Sequence, residues 1–258
     1  LSIIAQRQGV PDIGIQQGWP SFMHTMFRRF PYSYYLTWGK GFTEHWQKYN
    51  SETTFIPTGY LYDIQHKCGD AITFFLQSPR FLSDERYFKQ MVSLIEVTAV
   101  RLPEKVIGVR EHPEYKLDAK TMQRLQAYSN IQIMSELPLA EAFAQTQVAV
   151  SHFSSALMEG VAHDCIPLVF DPTQGSRYSP DLEMLGLGCI AYDKQSFFEK
   201  LEYIEQNAKV FAEKILIEKE CWFQKLSEEA VQLTVDTIHR IAPCHYLKTT
   251  DIPKLHIG

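Results

Sequence analysis

Gln147-Val148-Ala149-Val150-Ser151-His152-Phe153-Ser154-Ser155-Ala156-Leu157-Met158-Glu159-Gly160-Val161-Ala162-His163, followed closely by Cys165-Ile166-Pro167-Leu168-Val169-Phe170, is the stretch that decides the fold. An apolar run of strand length over 147–151 ends in a polar turn, a helical segment follows over 156–163, and a second apolar run occupies 166–170. Strand, helix and strand joined by short turns make the βαβ unit of a parallel sheet. The same rhythm extends to both sides. Apolar runs bounded by turn residues also occupy 12–15, 34–37, 54–57, 71–76, 106–110, 131–134 and 189–192, and nine strands in all are too many for one small sheet. Ser83 followed by Asp84 and Glu85 predicts an N-cap with an acidic first turn, and the spacing of Phe88, Met91, Val92, Leu94 and Ile95 predicts a helix with one apolar face. That helix joins the strand at 71 to the strand at 106 as a right-handed crossover.

The expected architecture is therefore α/β: a Rossmann-like parallel sheet with flanking helices, plus part of a second lobe. The polar stretch at 65–70 marks the boundary. Residues 1–66 read as the end of an amino-terminal lobe with its linker, 67–195 as the Rossmann-like domain, and 196–258 as carboxyl-terminal helices. Long helices are predicted over 197–214 and 218–240, packed along the sheet or reaching back toward the first lobe.

Composition narrows the function. A chain of 258 residues with 45% hydrophobic content can bury a sizeable core. Its net charge of -5 and pI near 6.0 leave no cationic excess to neutralise a polyphosphate backbone, so nucleic acid is excluded as the principal partner. The five cysteines, Cys68, Cys165, Cys189, Cys221 and Cys244, contain no C-x-x-C pair, which points to reduced thiols and a cytoplasmic setting in preference to a disulfide frame or a zinc site. The longest apolar runs fall far short of the ~20 residues a membrane-spanning helix needs. The chain begins at Leu1 with no initiator methionine and reads as a fragment of a longer polypeptide.

Ligands of an open α/β sheet gather at the carboxyl ends of its strands. Three such ends carry polar residues: Gln77-Ser78-Pro79, Glu111-His112-Pro113, and Ser151-His152-Phe153-Ser154-Ser155. In the last, hydroxyls meet the start of a helix, where orphan N–H groups and the positive end of the dipole face an anion together. Ser154 or Ser155 serves equally well as an ordinary helix cap. His112 can donate to the same phosphate, with Arg110 or Lys116 adding charge. Glu159 lies one turn below Ser155, where its carboxylate can accept from ribose hydroxyls or simply stabilise the helix.

Arg110-Glu111-His112-Pro113, then Ser151 through Gly160, then Cys165-Ile166-Pro167-Leu168-Val169, resemble the carboxyl-terminal domain of GT-B glycosyltransferases that build bacterial capsule and lipopolysaccharide. Similarity is strongest to enzymes with an "HP" motif and a paired-serine motif, the bacterial sialyl-, polysialyl- and Kdo transferases. The resemblance implies that His112 with Pro113, Ser154 and Ser155 hold the phosphate of a CMP-activated sugar such as CMP-Kdo or CMP-sialic acid. It implies that the loop with Ser135, Glu136 and Leu137 contacts the nucleobase. Gly14-Ile15-Gln16-Gln17-Gly18-Trp19 looks like the "QHG" segment of related transferases, with Gln17 where histidine is common, and Trp38-Gly39 and Gly59-Tyr60 resemble the turns that follow it. No bound cofactor is implied, because the nucleotide-sugar donor is itself a substrate. No metal is implied either, since the D-x-D motif of the other large transferase fold is absent and Asp63, Asp118 and Asp171 stand singly. The resemblance further implies a surface-polysaccharide or glycolipid acceptor, and Asp12, His24 and Glu111 are the candidate general bases. Trp222, Phe223, Lys225 and Leu226 offer either a peripheral membrane contact or an ordinary amphipathic core helix.

Three alternatives stand beside this reading. A CDP-glycerol phosphotransferase shares the layout but carries a "W-H-G" segment that Gln16-Gln17-Gly18-Trp19 does not match. A non-catalytic binding or docking lobe would have lost its chemistry with Gln17. A nucleotide-sugar 2-epimerase needs several cleft carboxylates, and few are offered here.

Overall fold

The computed structural model describes residues 9–18, 30–65, 69–77, 85–152, 154–174 and 181–243. Two parallel sheets organise them. The first holds β1 (Ile13–Ile15), β2 (Tyr34–Thr37) and β3 (Thr54–Pro57) in that order, with α1 (Lys40–Gln47) between β2 and β3. The second is built from β4 (Ala71–Phe75), α2 (Glu85–Arg101), β5 (Ile107–Arg110), α3 (Ala119–Gln126), β6 (Ile131–Ile133), α4 (Leu139–Ala144), β7 (Thr146–Ser151), α5 (Ser155–Ala162), β8 (Ile166–Phe170) and β9 (Cys189–Ala191). Its strand order is β6-β5-β4-β7-β8-β9, every pairing parallel. Chain direction across the sheet reverses between β4 and β7, and there an open α/β sheet forms its ligand crevice.

The strands form where the sequence is apolar on both faces. All five residues of β4 and all five of β8 are buried, as expected of a sheet covered on both sides, whereas the edge strand β6 is only partly covered. In the first sheet the core is aromatic: Tyr35, Trp46 and Phe55 surround Phe30, with ring centroids 4.4, 5.5 and 5.1 Å away respectively.

Three helices close the described residues: α6 (Lys194–Gln206), α7 (Ala208–Trp222) and α8 (Ser227–Ile241). Their breaks differ from those expected. The predicted helix over 197–214 starts at a capping box of Asp193 and Ser196 and is interrupted at Asn207, whose side-chain amide donates to the Tyr203 carbonyl at 2.8 Å and competes with the backbone ladder. The predicted helix over 218–240 is interrupted at 223–226, where the backbone turns to the first lobe. Gln224 N donates to Trp38 O at 2.9 Å, Tyr60 N to Lys225 O at 2.8 Å and Ser227 N to Tyr60 O at 2.9 Å.

The helices do reach back, and the contact is intimate. A Cβ on Gly39 would lie 2.4 Å from the backbone C and O of Trp222, so only glycine permits this approach. Trp222 packs edge-on to Phe42 at 5.0 Å and Phe223 stacks on Trp38 at 5.7 Å. Both are buried, so they belong to the contact between the lobes and present nothing to a membrane. Among the described residues no helix is long and apolar enough to cross a bilayer. Cys165, Cys189 and Cys221 are free thiols; Cys68, Cys244 and the expected cap at Ser83 and Asp84 lie outside the described residues.

Candidate functional site

At the reversal point the ends of β4 and β7 are tied together, because Ser151 Oγ donates to Phe75 O at 2.7 Å. Beyond this tie the chain enters α5. Ser154 has extended backbone angles and caps the helix, its Oγ accepting from Ala156 N at 3.2 Å. Ser155 is the first helical residue and donates to Glu159 Oε1 at 2.7 Å. Glu159 Oε2 accepts from the Tyr60 hydroxyl at 2.9 Å, so the carboxylate ties α5 to the segment joining the two sheets. Glu159 is only 8% exposed, and burial raises its pKa. It is therefore an internal residue and not a surface helix glutamate.

The first lobe contributes to the same spot. A Cβ on Gly18 would come within 3.3 Å of Ser155 Cβ, which puts the chain after β1 directly over the start of α5. Gln16 shapes that approach: it is 2% exposed, its Oε1 accepts from Trp38 N at 2.8 Å, and its main-chain O accepts from Trp38 Nε1 at 3.1 Å. The expectation for this segment centred on Gln17; the residue that fixes it is Gln16.

Gln77, at the end of β4, lines a small cavity with Leu76, Tyr87, Phe88, Met91 and His152. His152 received no role from its sequence position, yet it sits at the reversal point. Its Nδ1 lies 3.1 Å from Phe170 O and 3.9 Å from Asp171, its ring packs on Tyr87 at 3.9 Å, and burial lowers its pKa to about 4. A histidine between a strand end and a paired serine was the available signal for it. A roomier groove of about 830 Å³ lies between Asp63–Gln65 and the 216–229 segment and shares no residue with the strand-end loops.

His112 and Pro113 follow β5, separated from β7 only by β4, so at the usual strand spacing they stand about 10 Å across the crevice. Glu114 N donates to His112 Nδ1 at 3.2 Å, which in the neutral ring places the proton on Nε2. Arg110 turns one guanidinium nitrogen to the backbone. Its Nη1 donates to Met134 O and Leu137 O, each at 2.7 Å, and so fastens the loop bearing Glu136 and Leu137 to the end of β5.

Two candidate bases already have partners of their own. Asp12 precedes β1, at the amino end of its sheet, and its carboxylate accepts from the backbone N–H and hydroxyl of Ser33. Glu111 is 8% exposed; Oε1 accepts from Leu117 N at 2.6 Å and Oε2 lies 3.4 Å from Lys116 Nζ, so this carboxylate closes its own loop. His24, Ser78 and Phe153 lie outside the described residues. Among the described residues no group of three His, Cys, Asp or Glu side chains is placed to hold a metal ion.

No protein-family model and no curated protein matches the sequence. Solved structures do match in fold. The UDP-GlcNAc 2-epimerase from Neisseria meningitidis, bound to UDP-GlcNAc, is similar over 93% of this chain and 72% of its own, with a TM-score of 0.63 and 12% identity. S. aureus MnaA with UDP gives 92%, 71%, 0.61 and 12% in the same order. The wall teichoic acid polymerase TagF gives 81%, 58%, 0.54 and 14%, so this chain spans little more than half of TagF's length. The fold is of the GT-B type shared by nucleotide-sugar glycosyltransferases and their epimerase relatives.

Proposed function

We propose that the chain is the nucleotide-sugar-binding part of a metal-independent glycosyltransferase, moving a sugar from a CMP-activated donor to a surface-polysaccharide or glycolipid acceptor. One observation carries the reading: Ser154 and Ser155 open α5 at the reversal point of the sheet, directly beneath Gly18 of the first lobe. A phosphate seated there meets the positive end of the helix. The Ser154 oxygen accepts from Ala156 N, a bond that leaves its hydrogen for a ligand. His112, beyond β4, is the second donor of this reading, and together these donors stabilise charge on the departing nucleotide as the sugar leaves. Gln77, after β4, adds a polar contact at the same end of the sheet, and the loop with Glu136 and Leu137, braced by Arg110, is the nucleobase contact. The cytidine preference rests on the resemblance of His112-Pro113 and Ser154-Ser155 to the sialyl- and Kdo-transferase motifs. The acceptor enters from the first lobe. Any lipid contact falls to Val210, Leu216 and Ile217, the exposed apolar residues of α7, and liposome flotation tests it.

A CDP-glycerol-type glycerophosphotransferase is the second reading, favoured by the fold similarity to TagF, one structure of which was obtained with CDPG. Calorimetric titration with CMP, CDP, UDP and GDP separates the readings. CMP binding that weakens about tenfold or more in both His112→Ala and Ser155→Ala, the scale of a lost charge-assisted hydrogen bond, supports the first. Preference for CDP supports the second, preference for UDP turns the reading toward the epimerases, and binding of none of the four supports a docking lobe.

A further inference from the structure

A serine hydroxyl has one hydrogen to give. Ser155 gives its hydrogen to Glu159 Oε1 at 2.7 Å, while Tyr60 donates to Oε2 of the same carboxylate at 2.9 Å. A phosphate seated against the start of α5 therefore meets, at Ser155, a hydroxyl whose hydrogen is already committed to a second anion one turn below. Two anions cannot share that hydrogen, and the buried carboxylate has little water with which to replace it.

We propose that Glu159 and Tyr60 are positioning residues that set the hydrogen-bonding direction of Ser155, and that seating the donor phosphate takes up one proton at Glu159. The inference rests on α5 being the phosphate site and adds a linkage to that reading. In the empty site the Glu159 carboxylate accepts from Ser155. On binding, a proton from solvent adds to Oε1, the new carboxylic O–H donates to Ser155 Oγ, and Ser155 turns its hydrogen to a phosphate oxygen. Tyr60 donates to Oε2 in both states and keeps the carboxyl group in register. Release of the nucleotide returns the proton to solvent, so one O–H bond forms and breaks per cycle.

The neighbours leave this charge change to Glu159. Burial already favours its neutral form, ahead of the opposing effect of the Ser155 and Tyr60 bonds. Tyr60 and Tyr62, on the joining segment, are held protonated by burial. His163, one turn farther along α5 and 6.1 Å from the Tyr60 ring, stays neutral down to about pH 4. Lys219 of α7 is paired with Asp164 at 2.8 Å.

The test is calorimetric titration with CMP from pH 6 to 9, in two buffers of different ionisation enthalpy, on wild type, Glu159→Gln, Tyr60→Phe and Ser155→Ala. The wild type takes up as much as one proton, and its Kd rises about tenfold per pH unit on the alkaline side of the Glu159 midpoint. Glu159→Gln, whose amide donates to Ser155 at every pH, loses that proton and that slope. CMP's own phosphate ionisation, near pH 6, is common to all four proteins and cancels in the comparison. Tyr60→Phe removes a bond that favours the ionised carboxylate and moves the wild-type profile to higher pH. An equal proton count in wild type and Glu159→Gln, with CMP still bound and weakened by Ser155→Ala, overturns the linkage and leaves the phosphate site standing. Failure of the wild type to bind any of CMP, CDP, UDP and GDP overturns both; binding of another of the four moves the same comparison to that nucleotide.

Discussion

Tyr60→Phe removes one oxygen from the middle of the molecule and little else. The Tyr60 ring is fully buried and packs edge-on to Trp38 at 5.2 Å and Phe223 at 5.7 Å, contacts that phenylalanine keeps. What goes is the 2.9 Å bond to Glu159, leaving a carboxylate of 8% exposure with Ser155 as its remaining side-chain donor. A hydrogen bond to a charged acceptor contributes about 1.5–3 kcal/mol, and the buried position places this one in the upper half of that range, about 2–3 kcal/mol. For a chain of this size each kcal/mol shifts the melting temperature by about 2–4 °C, so the expected fall is roughly 4–12 °C. Urea unfolding should show a lower midpoint at unchanged m-value. Because both donors hold one carboxylate, Tyr60→Phe and Ser155→Ala should be non-additive by at least about 0.5 kcal/mol. A Tyr60→Phe loss below about 0.5 kcal/mol, the scatter of surface substitutions, would refute a buried tie between the joining segment and α5.

Other consequences are equally measurable. His152 and His163 have pKa values lowered by burial to about 4, so between the unfolded value near 6.5 and 4 the unfolded chain binds protons that the native state does not. Stability is full above about pH 6.5 and falls with acidification by about 1.4 kcal/mol per pH unit for each histidine; His163→Phe should remove one such share, and an unchanged slope would count against its burial as a neutral ring. Gly39→Ala forces a methyl to 2.4 Å from the Trp222 backbone, which cannot step aside without undocking α7, and should cost at least about 1–3 kcal/mol by thermal unfolding. Arg110→Ala releases the Met134 and Leu137 carbonyls, so amide exchange over 134–137 should accelerate and nucleotide affinity should fall by about tenfold; unchanged exchange would show that the loop holds itself.

Strands were the most legible part of the sequence. β2, β3 and β8 match the apolar runs at 34–37, 54–57 and 166–170 end to end, because turn residues delimit each run, and β8, covered on both faces, is buried throughout. The helix breaks at Asn207 and 223–226 were not legible. One comes from a side chain turning on its own backbone and the other from hydrogen bonds to Trp38 and Tyr60, far away in sequence. The site divides in the same way. The start of α5 shows in the local order of strand, polar turn and helix, whereas the Tyr60–Glu159 bond joins residues 99 apart. The partners of Asp12 and Glu111, Ser33 and the Leu117 amide, were not legible either, because nothing in the local spacing marks them.

The docking of α7 on Gly39 and Gly41 also sets a schedule for the growing chain. The cleft that receives Trp222 is made of residues near 40, yet its occupant is translated about 180 residues later, a delay of roughly 10–40 s at usual elongation rates. Until then the aromatic faces of Trp38 and Phe42 lack the rings of Trp222 and Phe223 that cover them in the finished fold. The first lobe thus waits half-finished while the larger sheet assembles, and a chain truncated before α7 leaves the ribosome with a sticky aromatic notch as an invitation to chaperones.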